Sequence, residues 1–230
     1  MKTALAVRVR DDGTEMSAAE TNLPEFHIAR EPELAELRIA DAPERWSALG
    51  FDVDQGSLDV GMVRMWLGAE GEGITSWSLR RVNATGSIDG LPTAAPRMVV
   101  PPPFHTHPNG ATGIDHIVVV TPDFDRTSAA LANAGVELRR DQFTEGRGRL
   151  GFRRIGPAIL ELAHSPEMKG EDPKLWGLTF VVISLEVLAE RLGDLLGPIG
   201  PAVQPGRRIA TLKREAGLSM PVAFMSPEPP

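Results

Sequence analysis

The strongest constraint on this chain is an internal repeat: the order strand, helix, strand, strand, strand recurs, with glycine and proline at matching places. A repeated unit of this size must bury its apolar face against its neighbours, so the repeat decides the architecture before any single motif does. The clearest copy spans residues 113–166. Its opening run IDHIVVVT, residues 114–121, is apolar and β-branched, as strands are. Pro122-Asp123 ends the run, and Asp123 or Asp125 is placed to cap a helix over residues 126–134, which Gly135 closes. Strands are expected at 136–140, 149–155 and 158–163, separated by a glycine-rich turn at 145–148 and by Gly156-Pro157.

A second copy covers residues 175–227. It opens with a strand at 177–184 (GLTFVVIS) and continues with a helix at 185–196, where Leu185, Leu188, Leu192, Leu195 and Leu196 fall at helical spacing. Strands at 202–203, 207–214 and 221–225 complete it. A fainter copy lies upstream at 34–82, with strands at 34–40, 51–54, 61–67 and 73–82 and a short helix at 43–49 closed by Gly50. Trp66 and Trp77 are expected there as half-buried strand residues. Residues 83–112, rich in Gly, Pro, Thr and Ala, read as a linker. Residues 1–33 read as an acidic N-terminal segment with strand character at 4–9. The fold class is therefore α+β, built from tandem βαβββ modules. Three modules cannot pair evenly, so the upstream one is expected to pair within the chain or with its equivalent in a homodimer.

Composition removes several classes of function. Without cysteine there are no disulfides, thiolate zinc sites or cysteine nucleophile, which leaves any metal to histidine and carboxylate. A net charge of -7 argues against a nucleic-acid surface. No apolar stretch is long enough to span a membrane, and the apolar run at residues 4–7 is too short for a signal peptide, so a cytoplasmic protein is expected. Residues 11–36 carry eight acidic side chains against Arg30, and residues 139–154 carry six arginines against Asp141 and Glu145. Both runs read most simply as solvated faces. Phosphate-loop, nucleophile-elbow and zincin motifs are missing, so neither a kinase nor a serine hydrolase is indicated.

Gly113-Ile114-Asp115-His116-Ile117-Val118-Val119-Val120, the helix after Pro122-Asp123, and Ala158-Ile159-Leu160-Glu161-Leu162 resemble the opening and closing strands of a vicinal-oxygen-chelate, or glyoxalase-like, module. Residues 202–211 (AVQPGRRIAT), with their continuation to Met225, are similar to actinobacterial glyoxalase-like proteins. The resemblance implies a glyoxalase/bleomycin-resistance-like fold, with mixed curved sheets, helices on the outer face, and paired modules curled into a cup. It also implies a divalent metal ion (Zn, Ni, Mn, Fe or Co) held by the first and last strands of each module. Carried over residue by residue, it places His116 and Glu161 at ligand positions, with Glu161 as the base of a lyase or isomerase acting on vicinal oxygens. Aligning residues 118–121 with 181–184 sets Thr179 opposite His116 and leaves Val222 or Ala223 near the position matching Glu161. Two ligand-type residues thus stand where three or four are wanted.

His105, His107 and His164 are the residues that could complete such a site. In an extended segment His105 and His107 project to one side, yet the flanking prolines fit an exposed loop equally well. His116, on an apolar strand, reads equally as a hydrogen-bonded core histidine. Gln204-Pro205-Gly206-Arg207-Arg208 forms a turn feeding a strand, and alternation sends the two arginines to opposite faces. One arginine, with Gln204 beside it, could bind a substrate carboxylate or phosphate; a surface pair keeping the turn soluble is the plainer reading. The expected function is binding of a small-molecule ligand. Metal-dependent lyase or isomerase chemistry and metal-free binding or sequestration stay open as alternatives, with a ligand-free scaffold as the third.

Overall fold

A computed structural model describes residues 31–84, 86–97, 102–145 and 148–229. The strand character at residues 4–9 and His27 lie outside the described residues. In chain order the elements are β1 (Glu33–Ile39), α1 (Pro43–Ala48), β2 (Ser57–Val60), β3 (Val63–Leu67), β4 (Ile74–Arg80), β5 (Gly86–Ile88), β6 (Leu91–Ala94) and β7 (Ala111–Thr121). There follow α2 (Phe124–Asn133), β8 (Arg140–Thr144), β9 (Gly148–Ile155), β10 (Ala158–His164), β11 (Lys174–Val182), α3 (Leu185–Leu192), β12 (Gly200–Pro201), β13 (Arg208–Thr211) and β14 (Val222–Met225). No helix among the described residues is long and apolar enough to cross a membrane.

The strands form a six-stranded sheet, β2-β3-β1-β4-β6-β5, and an eight-stranded sheet, β12-β13-β14-β11-β7-β10-β9-β8. Each sheet consists of two similar halves. In the larger, β7 runs parallel to β10 and β11 parallel to β14, while the opening strands β7 and β11 pair antiparallel at the centre. In the smaller, β1 runs parallel to β3 and β4 parallel to β6, and β1 pairs antiparallel with β4. The upstream copy therefore finds its partner within the same chain.

The strand expected to close the upstream copy is β4, which instead opens a second half. That half has no helix, because only five residues separate Arg80 from Gly86. The stretch read as a linker accordingly carries β5 and β6. Trp77, expected half-buried, is 1% exposed and donates from Nε1 to Thr93 Oγ1 on β6 at 2.8 Å. Residues 51–54 contribute only the isolated bridge Asp54 to Ser57.

In the 113–166 copy, the Asp123 carboxylate caps α2 by accepting from the Arg126 N–H at 3.0 Å. At the other end Gly135, at φ 91°, donates to the Ala132 carbonyl while Val136 donates to that of Leu131. This paired closure ties Val136 to the end of the helix. It explains why the strand expected at 136–140 begins only at Arg140. The helix expected at 185–196 stops as α-helix at Leu192 and continues as a 3-10 turn over Gly193–Leu195.

Trp46 of α1 joins the two sheets through aromatic contacts. Its ring lies 5.2 Å from Phe51 and 6.0 Å from Phe180, and Phe180 lies 5.9 Å from Phe224. Phe180 and Phe224 stand on neighbouring strands, and all four rings are buried.

One residue in this interior runs against burial. Arg153 on β9 is 1% exposed, Nη2 donates to Ser128 Oγ at 2.5 Å, and neither Nε nor Nη1 has a hydrogen-bond partner. Burial draws its pKa down to about 10. A buried charge this poorly compensated is destabilising relative to an apolar side chain of similar length. Arg153→Met is therefore expected to raise the Tm by a few degrees, a gain on the order of 1–2 kcal/mol, in thermal unfolding followed by circular dichroism.

Candidate binding site on the eight-stranded sheet

The central pair β7 and β11 is bulged where the candidate residues lie. His116 pairs with Thr179 but Ile114 pairs with Phe180, so Asp115 is the extra residue. A bulge re-aims the side chains around it. Here it lets the Asp115 carboxylate turn back to its neighbour, with Oδ2 2.9 Å from His116 Nδ1. Thr179 Oγ1 lies 3.0 Å from the other ring nitrogen, Nε2. On its far side Asp115 Oδ1 meets Arg207 Nη1 at 2.5 Å. Arg207 is itself held by two bonds from Nε and Nη2 to the Ser226 carbonyl, at 2.9 and 2.7 Å.

The electrostatics of this chain set the tautomer of the histidine. Burial pushes the Asp115 carboxyl up, but hydrogen bonds from His116 and Arg207 outweigh it and hold the group below the ordinary carboxylate range. An ionised Asp115 accepts from Nδ1–H. In the unprotonated ring that leaves the lone pair on Nε2, within reach of the Thr179 hydroxyl as donor.

His116 and Glu161 line the same hollow, of about 400 Å³, on one face of the sheet. Ile159, not Glu161, stands directly opposite His116, and Glu161 pairs with Val118 one step further along that face. From strand spacing and rise, the Cα atoms of His116 and Glu161 are roughly 8 Å apart. Val118, Trp176 and Ile209 supply apolar walls, and Trp176 is 49% exposed. A second hollow, of about 430 Å³, is lined by Leu34 and Val60 of the smaller sheet and by Ile114 and Ile155 of the larger. Asp115 and Arg207 border this second hollow, so the polar chain runs from one hollow to the other.

The donor set does not complete a three-ligand metal site at His116 and Glu161. Both ring nitrogens of His116 have partners, and Thr179 and Ala223, paired on β11 and β14, occupy the places across the sheet. His164 alternates to the face of β10 opposite Glu161 and approaches the Pro122 carbonyl at 3.2 Å. Among the described residues the one His, Cys, Asp and Glu group of three with ligand atoms within 4.8 Å of one another is Asp52, His105 and His107. His107 there is 2% exposed, accepts from the Asp52 N–H on Nδ1 at 3.0 Å, and donates from Nε2 to the Asp59 carbonyl at 2.9 Å. His105 Nε2 lies 2.7 Å from Asp52 Oδ2.

Arg207 and Arg208 diverge as alternation requires. Arg207 is buried with its donors turned inward, whereas Arg208 is exposed and pairs with Glu186 at 2.5 Å. Gln204 serves the turn, its carbonyl accepting from the Arg207 N–H at 3.2 Å. The residues missed by sequence reasoning are Asp115 as the partner of His116 and Trp176 as part of the wall. An acidic residue inside an otherwise apolar strand was the available signal for Asp115.

No protein-family model matches the sequence, and no curated protein matches it. Among solved structures, a xylose isomerase-like TIM barrel/4-hydroxyphenylpyruvate dioxygenase fusion protein superposes over 86% of this chain and 49% of its own, at TM-score 0.56 and 12% identity. The chain has the glyoxalase/bleomycin-resistance-like α+β fold. Methylmalonyl-CoA epimerase from Mycobacterium tuberculosis matches 52% of this chain and 91% of its own, at TM-score 0.45 and 17% identity. A Streptomyces coelicolor methylmalonyl-CoA epimerase variant, in complex with 2-nitronate-propionyl-CoA, covers 52% of this chain and 99% of its own, at TM-score 0.43 and 19% identity.

Burial, and then the neighbouring His105, hold the His107 pKa below its ordinary value. A histidine depressed in the folded state contributes fully above its unfolded pKa of about 6.5, and the contribution is lost as pH falls below that value. The Tm is expected to fall between pH 6.5 and pH 5. His107→Gln, which cannot take up the proton, flattens that fall in thermal melts run across the same range.

Proposed function

We propose that the chain binds a small, largely apolar molecule in the hollow of the eight-stranded sheet, without a divalent metal at His116 and Glu161. The observation that carries this reading is the commitment of both His116 ring nitrogens, to Asp115 and to Thr179. The hollow combines apolar walls with a few convergent polar groups, the usual make-up of a small-molecule site. Val118 and Trp176 favour a flat apolar body, while His116, Thr179 and Glu161 can meet one or two polar atoms on it. The Glu161 carboxylate favours a neutral or cationic ligand over an anionic one.

A metal-dependent lyase or isomerase is the second reading. The grouping of Asp52, His105 and His107 is the observation on its side, since two histidines and a carboxylate suit zinc and its neighbours, although His107 would have to give up one of its two backbone hydrogen bonds to bind an ion. That grouping lies apart from the residues that line the sheet hollow, so the two readings call on different side chains.

Elemental analysis after equilibration with Zn²⁺, Ni²⁺, Mn²⁺, Fe²⁺ and Co²⁺, followed by gel filtration, separates them. No stoichiometric metal is expected. Bound metal that His116→Ala and Glu161→Ala both remove overturns the proposal, whereas metal removed by His105→Ala supports the second reading. In parallel, the uncharged dye N-phenyl-1-naphthylamine is expected to bind one per chain and to lose at least tenfold in affinity in Val118→Glu, which fills the hollow with charge. Equal binding by the variant places the dye elsewhere and counts against the hollow.

A further inference from the structure

We propose that Thr179, His116 and Asp115 form an acyl-transfer centre acting on small uncharged esters. This rests on the reading that the hollow admits small molecules, and it adds a reaction to it. The signature of an activated hydroxyl nucleophile is a hydroxyl within hydrogen-bond reach of a base, with the base oriented by a third group. The structure has each part: Thr179 Oγ1 at 3.0 Å from His116 Nε2, His116 Nδ1 at 2.9 Å from Asp115 Oδ2, and Asp115 fixed by Arg207 at 2.5 Å. The order arises from a strand bulge rather than from a tight turn, which is why no local sequence motif announces it.

Stability alone gives little reason for this arrangement. Neighbouring positions on the same face of β7 are Val118 and Val120, and a further β-branched apolar pair would satisfy the sheet equally. Instead the chain buries Asp115, at 8% exposed, and Arg207, at 6% exposed. A buried ion pair of this kind often contributes less to stability than apolar residues of the same volume. What the pair does secure is an ionised Asp115, hence the hydrogen on Nδ1 and a basic Nε2 aimed at a hydroxyl.

The reaction balances without any group from outside. Thr179 Oγ1 adds to the ester carbonyl carbon as His116 Nε2 takes the hydroxyl proton, and the carbonyl π electrons move to oxygen. As the carbonyl re-forms, the bond to the alcohol oxygen breaks, and His116 returns its proton to that oxygen. The acyl group is left on Thr179. Water then adds to the acyl carbon with His116 as base, the bond to Thr179 Oγ1 breaks, and the threonine oxygen recovers the proton. The sum is ester plus water giving acid plus alcohol. Thr179 and His116 are the catalytic residues and Asp115 is a positioning residue. Glu161 in the same hollow repels the carboxylate product and so favours its release.

The test uses the whole chain with p-nitrophenyl acetate. A burst of about one p-nitrophenol per chain is expected, with an acetyl group on the peptide holding Thr179 after acid quench. Thr179→Val, which keeps the shape and removes the hydroxyl, and His116→Gln lose the burst, and Thr179→Ser retains it. Asp115→Asn lowers kcat by a factor on the order of a thousand with KM unchanged, a split that mere loosening of the fold does not produce. Acetyl groups found only on lysines, at equal rates in the wild type and in Thr179→Val, overturn the proposal. Dye binding keeps the two readings apart: a chain that binds N-phenyl-1-naphthylamine in the hollow yet leaves Thr179 unacylated loses this inference alone. A chain that does neither loses both.

Discussion

The antiparallel ladder between β7 and β11 is the contact on which the rest of this molecule depends. It joins two modules into one eight-stranded sheet, and its bulge at Asp115 decides which side chains meet. Were the ladder regular, alternation would hold Asp115 on the face opposite His116, and the carboxylate would lie far from the imidazole. The extra residue turns two consecutive polar side chains into a bonded pair. Arg207, arriving from the turn before β13, then compensates the charge that the bulge has buried.

Much of this was legible in the sequence, for reasons that are local. The run IDHIVVVT, the Asp123 cap and Gly135 each act within a few residues, so β7 and α2 follow from short-range chemistry. The equivalence of Thr179 to His116 in the two copies was legible too, because their register can be counted, but that the two residues face each other across β7 and β11 was not. Non-local pairing was not. β6 exists because it lies parallel to β4, with Thr93 accepting from buried Trp77, and nothing in a stretch of glycine, proline and threonine reports that partner. Val136 to Arg139 looked extended because the tie from Val136 back to Leu131 is a property of the helix end, not of composition.

The candidate site divides in the same way. His116 and Glu161 came from the resemblance of their strands to the opening and closing strands of a known module, and both line one hollow. The arginines could be sorted by alternation into one inward and one outward. The partner of the inward one could not, because Asp115 is 92 positions away in sequence from Arg207 and meets it only through the bulge. A side chain suited to a substrate carboxylate serves a carboxylate of the protein instead. Burial sharpens that preference: an interior arginine without an anion is costly, as Arg153 illustrates, and Asp115 removes the penalty for Arg207.

One consequence concerns the two hollows on either side of the bulge. Asp115 and Arg207 line the one between the sheets, while His116 and Thr179 line the other. Asp115 is shared between them, one oxygen on Arg207 and the other on His116, so the charge balance of the first hollow and the orientation of the imidazole in the second rest on one carboxylate. The coupling needs no movement of the sheet, because three side chains bonded in series already span it. Their geometry follows from a single inserted residue, so the chemistry on one face and the charge balance on the other are one structural feature seen from its two ends.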